Sequence, residues 1–133
     1  MKIIIHSDGG ARGNPGPAGI GALLTDDKYQ TIATISQYLG VTTNNQAEYR
    51  ALLAGLKRAK ELGADEVECY LDSELVVKQL NREYKVKNKE LAPLFVEIYN
   101  LSLGFKKINY IHVRREYNKD ADRLANEAMD RGV

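Results

Sequence analysis

The chain has 133 residues, with 19 basic against 18 acidic side chains and a formal charge of +1. That length suits one domain over residues 1–133, with a single core and a radius of gyration of ~14 Å. A composition of 44% hydrophobic and 28% charged residues, with no apolar run near the ~20 residues of a membrane span, predicts a globular chain with no membrane partner. The near-neutral charge, taken alone, speaks against a nucleic-acid binder held mainly by a basic surface. The run Ile3-Ile4-Ile5 reaches Asp8 too soon for the apolar middle of a secretory signal. The single cysteine, Cys69, cannot form an internal disulfide, so a reducing compartment, the cytoplasm, is expected.

In chain order, the first third predicts three strands, Lys2 to Asp8, Gly19 to Leu24 and Gln30 to Tyr38, the last two joined as a hairpin through Thr25-Asp26-Asp27-Lys28. Thr43-Asn44-Asn45-Gln46 has the form of a capping box, a Thr followed three residues later by Gln, and opens a helix that Leu52, Leu53, Leu56, Ala59 and Leu62 carry to Gly63. Val67, Cys69 and Leu71 alternate with polar neighbours in a fourth strand, and Asp72-Ser73 starts a short helix through Leu80. Lys85 to Asn88 reads as a basic loop. A helix is expected from about Lys89 to Leu101, with Pro93 marking a kink or a late start. Lys107 to Val113 forms a fifth strand, and Asn118 is expected to cap a last helix whose Ala121, Leu124, Ala125, Ala128 and Met129 share one face. Strands reached through helical crossovers pair parallel to a neighbour, so the fold class is α/β: a five-stranded mixed sheet flanked by helices, its first three strands antiparallel.

Four acidic residues stand out by position. Asp8 and Asp72 close strands, Glu48 is expected in the first turn of the long helix, and Asp122 lies near the start of the last. Glu48 shares a helix face with Leu52 and Gly55, and Asp122 with Ala125 and Met129, so both carboxylates point along apolar stripes. Burying an unpaired charge costs several kcal/mol. Carboxylates that converge raise one another's pKa, and a hard divalent cation with oxygen ligands, Mg²⁺ or Mn²⁺, relieves the repulsion. The competing explanation for each acid alone is structural: helix dipoles favour acids in the first turn, and a strand-terminal Asp often caps the next helix.

The segment Gly9-Gly10-Ala11-Arg12-Gly13-Asn14-Pro15-Gly16-Pro17-Ala18-Gly19 lacks the Gly-Lys-Ser/Thr of a nucleotide P-loop and the dinucleotide fingerprint, and reads as a tight turn that exposes backbone N–H groups beside Asp8. His6 and His112 stand alone in strands and form no zinc-ligand pair with Cys69. Ser73 has no nucleophile-elbow context and reads as a helix cap. Cys69 alternates with Val67 and Leu71 as a small buried hydrophobe.

Taken together, Ser7-Asp8-Gly9-Gly10 with Gly13 to Gly19, Thr43 to Leu52, Leu71-Asp72-Ser73, and Asn118-Lys119-Asp120-Ala121-Asp122-Arg123-Leu124-Ala125 resemble the four signature segments of type 1 ribonuclease H, in that family's order and spacing. The resemblance implies hydrolysis of the RNA strand of RNA/DNA hybrids, leaving 5′-phosphate and 3′-hydroxyl ends. It makes Asp8, Glu48, Asp72 and Asp122 metal-binding carboxylates for two divalent ions, Mg²⁺ or Mn²⁺. It also implies that Asn14, Asn44 and Asn45, with the Gly9 and Gly10 backbone, follow the minor groove and its 2′-hydroxyls, and that Thr43 and Asn88 hold a phosphate of the DNA strand, with Ser73 at the same surface. Recognition of that kind predicts little sequence preference.

Two departures narrow the likeness to short, archaeal-type members. Asn81 to Asn88, with only Arg82, Lys85 and Lys87, is far shorter than the family's basic protrusion. Arg114-Arg115-Glu116-Tyr117 stands where many members carry a loop histidine, and Arg115 is expected to fill part of its role. With a first catalytic strand starting at residue 2, no N-terminal hybrid-binding module is expected. Nothing in the sequence points to a protein partner, and a monomer is expected. Neutralising four carboxylates with divalent ions would leave the chain clearly basic, which reconciles the +1 charge with a polyanionic substrate.

Overall fold

The computed structural model describes residues 1–133 as one mixed sheet with helices on both faces. The strands are β1 (Lys2–Ala11), β2 (Gly16–Thr25), β3 (Thr31–Thr42), β4 (Glu66–Leu71) and β5 (Lys107–His112), and the helices are α1 (Asn44–Glu61), α2 (Glu74–Leu80), α3 (Ala92–Ser102) and α4 (Lys119–Arg131). Spatial order is β3-β2-β1-β4-β5. β1, β2 and β3 pair antiparallel, whereas β1–β4 and β4–β5 are parallel, as the crossovers through α1 and through α2 and α3 require.

Alternation along the strands sends Ile3, Ile5, Ala22, Leu24, Val67, Cys69 and Leu71 into a core with Tyr49, Leu52 and Leu56 of α1. Inside it the Tyr49 hydroxyl donates to Gln79 Oε1 at 2.6 Å, which satisfies two polar groups that burial would otherwise strand. The opposite face of the sheet receives α4. Contact there is so close that a Cβ on Gly21 would lie 2.2 Å from the Ala121 carbonyl oxygen, and one on Gly19 2.7 Å from that of Ala125.

The first three strands run longer than periodicity indicated, because the Gly/Pro segment is mostly ladder: Gly9, Gly10 and Ala11 belong to β1 and Gly16 to Gly19 to β2. Thr43 caps α1 as expected, its hydroxyl accepting the Gln46 N–H at 3.2 Å, but Gln46 Oε1 takes the Thr42 hydroxyl instead of closing the box. α3 begins at Ala92, with Pro93 in the first positions where a missing N–H costs nothing. Asn118 occupies the N-cap position of α4 as expected, and its carbonyl accepts the Asp122 N–H at 3.1 Å. The Asn118 side chain makes no cap bond and donates instead, buried, to the Ser7 carbonyl at 2.9 Å. Placing even one methyl at Gly21 forces α4 off the sheet, so Gly21→Ala should lower unfolding stability in urea by about 3 kcal/mol; an unchanged midpoint would show that α4 can shift freely.

Candidate active site

The parallel register builds the site. Ser7 pairs with Leu71 as the last β1–β4 rung, so the next residues, Asp8 and Asp72, stand side by side where that pairing ends. β4 stops there, while β1 continues to Ala11 against β2. Glu48 arrives from α1, whose backbone presses on β1 where Gly9 has no side chain: a Cβ there would stand 2.2 Å from Ala47 O and 2.6 Å from Glu48 N. Carboxylate oxygens of Asp8, Glu48 and Asp72 all lie within 4.8 Å of one another. Asp122 comes from the opposite face on α4, and the Asn118–Ser7 bond ties the start of that helix to the strand residue before Asp8.

These groups open into a groove of about 480 Å³, which Gly9, Gly10, Asn44, Asn45, Ser73 and Arg115 also line. Asp8 and Glu48 are buried and Asp72 half-buried. Burial, then the charge of Asp72, pushes the Asp8 carboxyl up to about 7. Burial, then Asp8 and Asp72, hold Glu48 well above the usual carboxylate range. Asp72 is raised by burial, against the pull of the Arg115 guanidinium. That guanidinium sits 3.4 Å from Asp122 Oδ1, exposed at the rim.

Not every expected residue reaches the groove. Thr43, Asn14 and Asn88 do not line it. Asn14 Oδ1 accepts the Asn44 N–H at 3.1 Å, and Asn44 Oδ1 accepts the Ala11 N–H at 2.7 Å, a relay that fixes Asn44 between β1 and α1. Asn88 Oδ1 accepts the N–H groups of Glu90 and Leu91 at 2.8 and 3.2 Å, organising the approach to α3. Ser73 caps α2 by accepting the Val76 N–H. His6 stacks on Tyr70 at 5.0 Å between centroids, His112 is exposed, and the Cys69 thiol is buried with its pKa pushed up, so none of the three takes part.

Residues 6–128 match the family profile described as reverse transcriptase-like. A bifunctional protein of Mycobacterium tuberculosis is 50% identical over 131 residues, 98% of this chain but 36% of that protein, so the chain spans about a third of that relative's length. A ribonuclease H of Chlorobium phaeobacteroides is 32% identical over 144 residues, covering 96% of this chain and 95% of the relative. The chain belongs to the ribonuclease H family. A ribonuclease H1 from a compost metagenome, solved with an RNA/DNA hybrid, superposes with a TM-score of 0.92 at 46% identity over 97% of both chains.

For this ribonuclease H, five groove residues were not among the expected site residues, Ala11, Arg12, Ala125, Asn126 and Met129, although periodicity places Ala125 and Met129 on the helix face of Asp122. The signal for Asn126 was present too, since it follows Asp122 at i+4 on α4. The donor set suits a metal. It is all carboxylate oxygen, Glu48 Oε2 is buried without a hydrogen-bond partner, and Arg115, which bonds Asp122, offsets the burial of Asp72 only in part.

Because the folded Asp8 carboxyl titrates near 7 and its unfolded form near 3.8, the folded chain binds the extra proton between those values. Its contribution to stability therefore falls as pH rises through that window, and above pH 7 the full repulsion is carried. In EDTA at pH 8, Asp8→Asn should melt ~3–6 °C above the parent, with the gain shrinking by pH 5; equal melting temperatures at pH 8 would contradict the strain.

Proposed function

We propose that this chain is a single catalytic domain, acting as a monomer in the cytoplasm, that hydrolyses the RNA strand of RNA/DNA hybrids endonucleolytically. It would leave 5′-phosphate and 3′-hydroxyl ends and show little sequence preference. The observation that carries the reading is the convergence of Asp8, Glu48 and Asp72 from three separate elements, opposite Asp122, in an open groove with no basic side chain paired to the three.

Asp8, Glu48, Asp72 and Asp122 would hold two Mg²⁺ ions, with Mn²⁺ as the alternative. Bound there, the ions would supply a nucleophilic water at neutral pH and charge stabilisation for the leaving 3′-oxygen. The protein residues have separate tasks. Asp8, between Asp72 and Glu48, fixes the centre of the cluster. Glu48, braced on the Gly9 backbone, cannot retreat when the polyanion arrives. Asn44, held by Asn14 and Ala11, presents its remaining amide N–H groups, and with Asn45 and the Gly9 and Gly10 backbone it faces the minor groove, where 2′-hydroxyls distinguish RNA from DNA. Thr43, Ser73 and Asn88 shape the flanking surface for the DNA strand. Arg115 restrains Asp122 before substrate binds and turns toward phosphate afterwards, which suits it to the part of the family's loop histidine.

Incubation of the purified chain with labelled RNA/DNA hybrid, duplex RNA, duplex DNA and single strands, in Mg²⁺ and in Mn²⁺, tests the proposal. Cleavage of the hybrid's RNA strand is expected, and intact hybrid in both metals would overturn it. Asp72→Asn should cut turnover by more than the ~10–100-fold that changes outside a metal's ligand set cost, while hybrid binding and the melting curve persist; retained turnover would remove Asp72 from the ligand set.

A further inference from the structure

The groove holds two cationic side chains. Arg115 lies beside Asp122, while Arg12 lies beside Asn126 and Asp130, one and two turns further along α4, or ~12 Å from the Asp122 level. Along β1 the separation is similar, since Arg12 follows Asp8 by four residues, roughly 13 Å of extended chain. We propose that Arg12 binds a backbone phosphate of the strand being cut, a few nucleotides from the scissile bond, and that Asp130 holds its guanidinium in readiness. The inference rests on reading the groove as a polynucleotide site.

Three observations support it. The backbone under Arg12 is fixed, because its N–H donates to Pro17 O at 2.8 Å and a Cβ on Gly16 would stand 2.2 Å from Arg12 O. The guanidinium is oriented but not consumed: Nη2 meets Asp130 Oδ1 at 2.7 Å and Asn126 O at 3.5 Å, which leaves other N–H donors free to fork onto a phosphate. Both partners are about half-exposed or more, at 48% and 68%, so the pair contributes little to folding and the fold does not depend on it. Asp130 occupies the place of an anion that a phosphate can take over, and the exchange swaps one carboxylate for one phosphate at the same donor.

The test is hybrid binding, followed by fluorescence anisotropy in Mg²⁺ over a series of KCl concentrations, in the Asp72→Asn background so that the substrate survives. Adding Arg12→Ala should weaken binding roughly threefold to tenfold and reduce the slope of log Kd against log salt by about one. Arg12→Lys should keep the slope and recover part of the affinity, since a point charge lacks the fork. Asp130→Asn, which removes the competing carboxylate, should tighten binding. An unchanged slope in Arg12→Ala overturns the proposal. So does weakening by Asp130→Asn equal to that of Arg12→Ala, which would mean that the pair only joins α4 to the β1 end. Melting temperatures of all variants separate lost contact from lost fold. Failure of the parent to cleave any hybrid would strike the activity, whereas the binding slopes report on Arg12 separately.

Discussion

Like-charge repulsion among Asp8, Glu48 and Asp72 is the constraint around which the rest of the molecule is arranged. Three carboxyl oxygens within 4.8 Å, two of them on buried residues, cannot all ionise without a cation, and no basic side chain forms an ion pair with any of the three, Arg115 acting on Asp72 only from a distance. The fold accepts the cost because the parallel β1–β4 register and the seat of α1 on Gly9 fix the geometry through backbone packing that carboxylate repulsion cannot undo. The strain is stored at the site and offset by the apolar core beneath it. A divalent cation bound there would recover what the metal-free chain gives up.

Precision at the cluster comes from close approach of backbones. Gly9 admits α1 on one face, and Gly19 and Gly21 admit α4 on the other, so that Glu48 and Asp122 flank the strand that carries Asp8. The polar groups nearby act as ties. Asn118 joins the α4 start to Ser7, Asn14 and Asn44 join the β1 end to α1, and Arg115 holds Asp122 from the solvent side. In the proposed function, substrate recognition and chemistry share one corner of the sheet, which would favour orientation of the phosphodiester over motion of the protein.

Much of this was legible in the amino-acid sequence, for identifiable reasons. Alternation and helical periodicity located the strands and helices, and a carboxylate on an apolar stripe marked Glu48 and Asp122. The helix-dipole explanation for Glu48 fails, because it lies beyond the first turn of α1, where the structure has no acidic residue. The Gly/Pro segment hid from periodicity because small residues carry no hydrophobic pattern even when they sit in a ladder. Asn118 was read correctly as the N-cap position, but the destination of its side chain was not legible, because its bond to Ser7 depends on a contact 111 residues away. Arg12 escaped for the same reason: what makes it a groove residue is the packing of α4 across the end of β1, which no local window contains.

The central claim is that the carboxylate cluster is a divalent-cation site whose repulsion the metal relieves. Calorimetric titration of Mg²⁺ into the metal-free protein at pH 7, repeated in two buffers of different ionisation enthalpy, tests it most directly. The account predicts saturable binding with net release of protons, because carboxyls held protonated by burial must ionise to become ligands. Absence of saturable binding, or binding with no proton released, would contradict it.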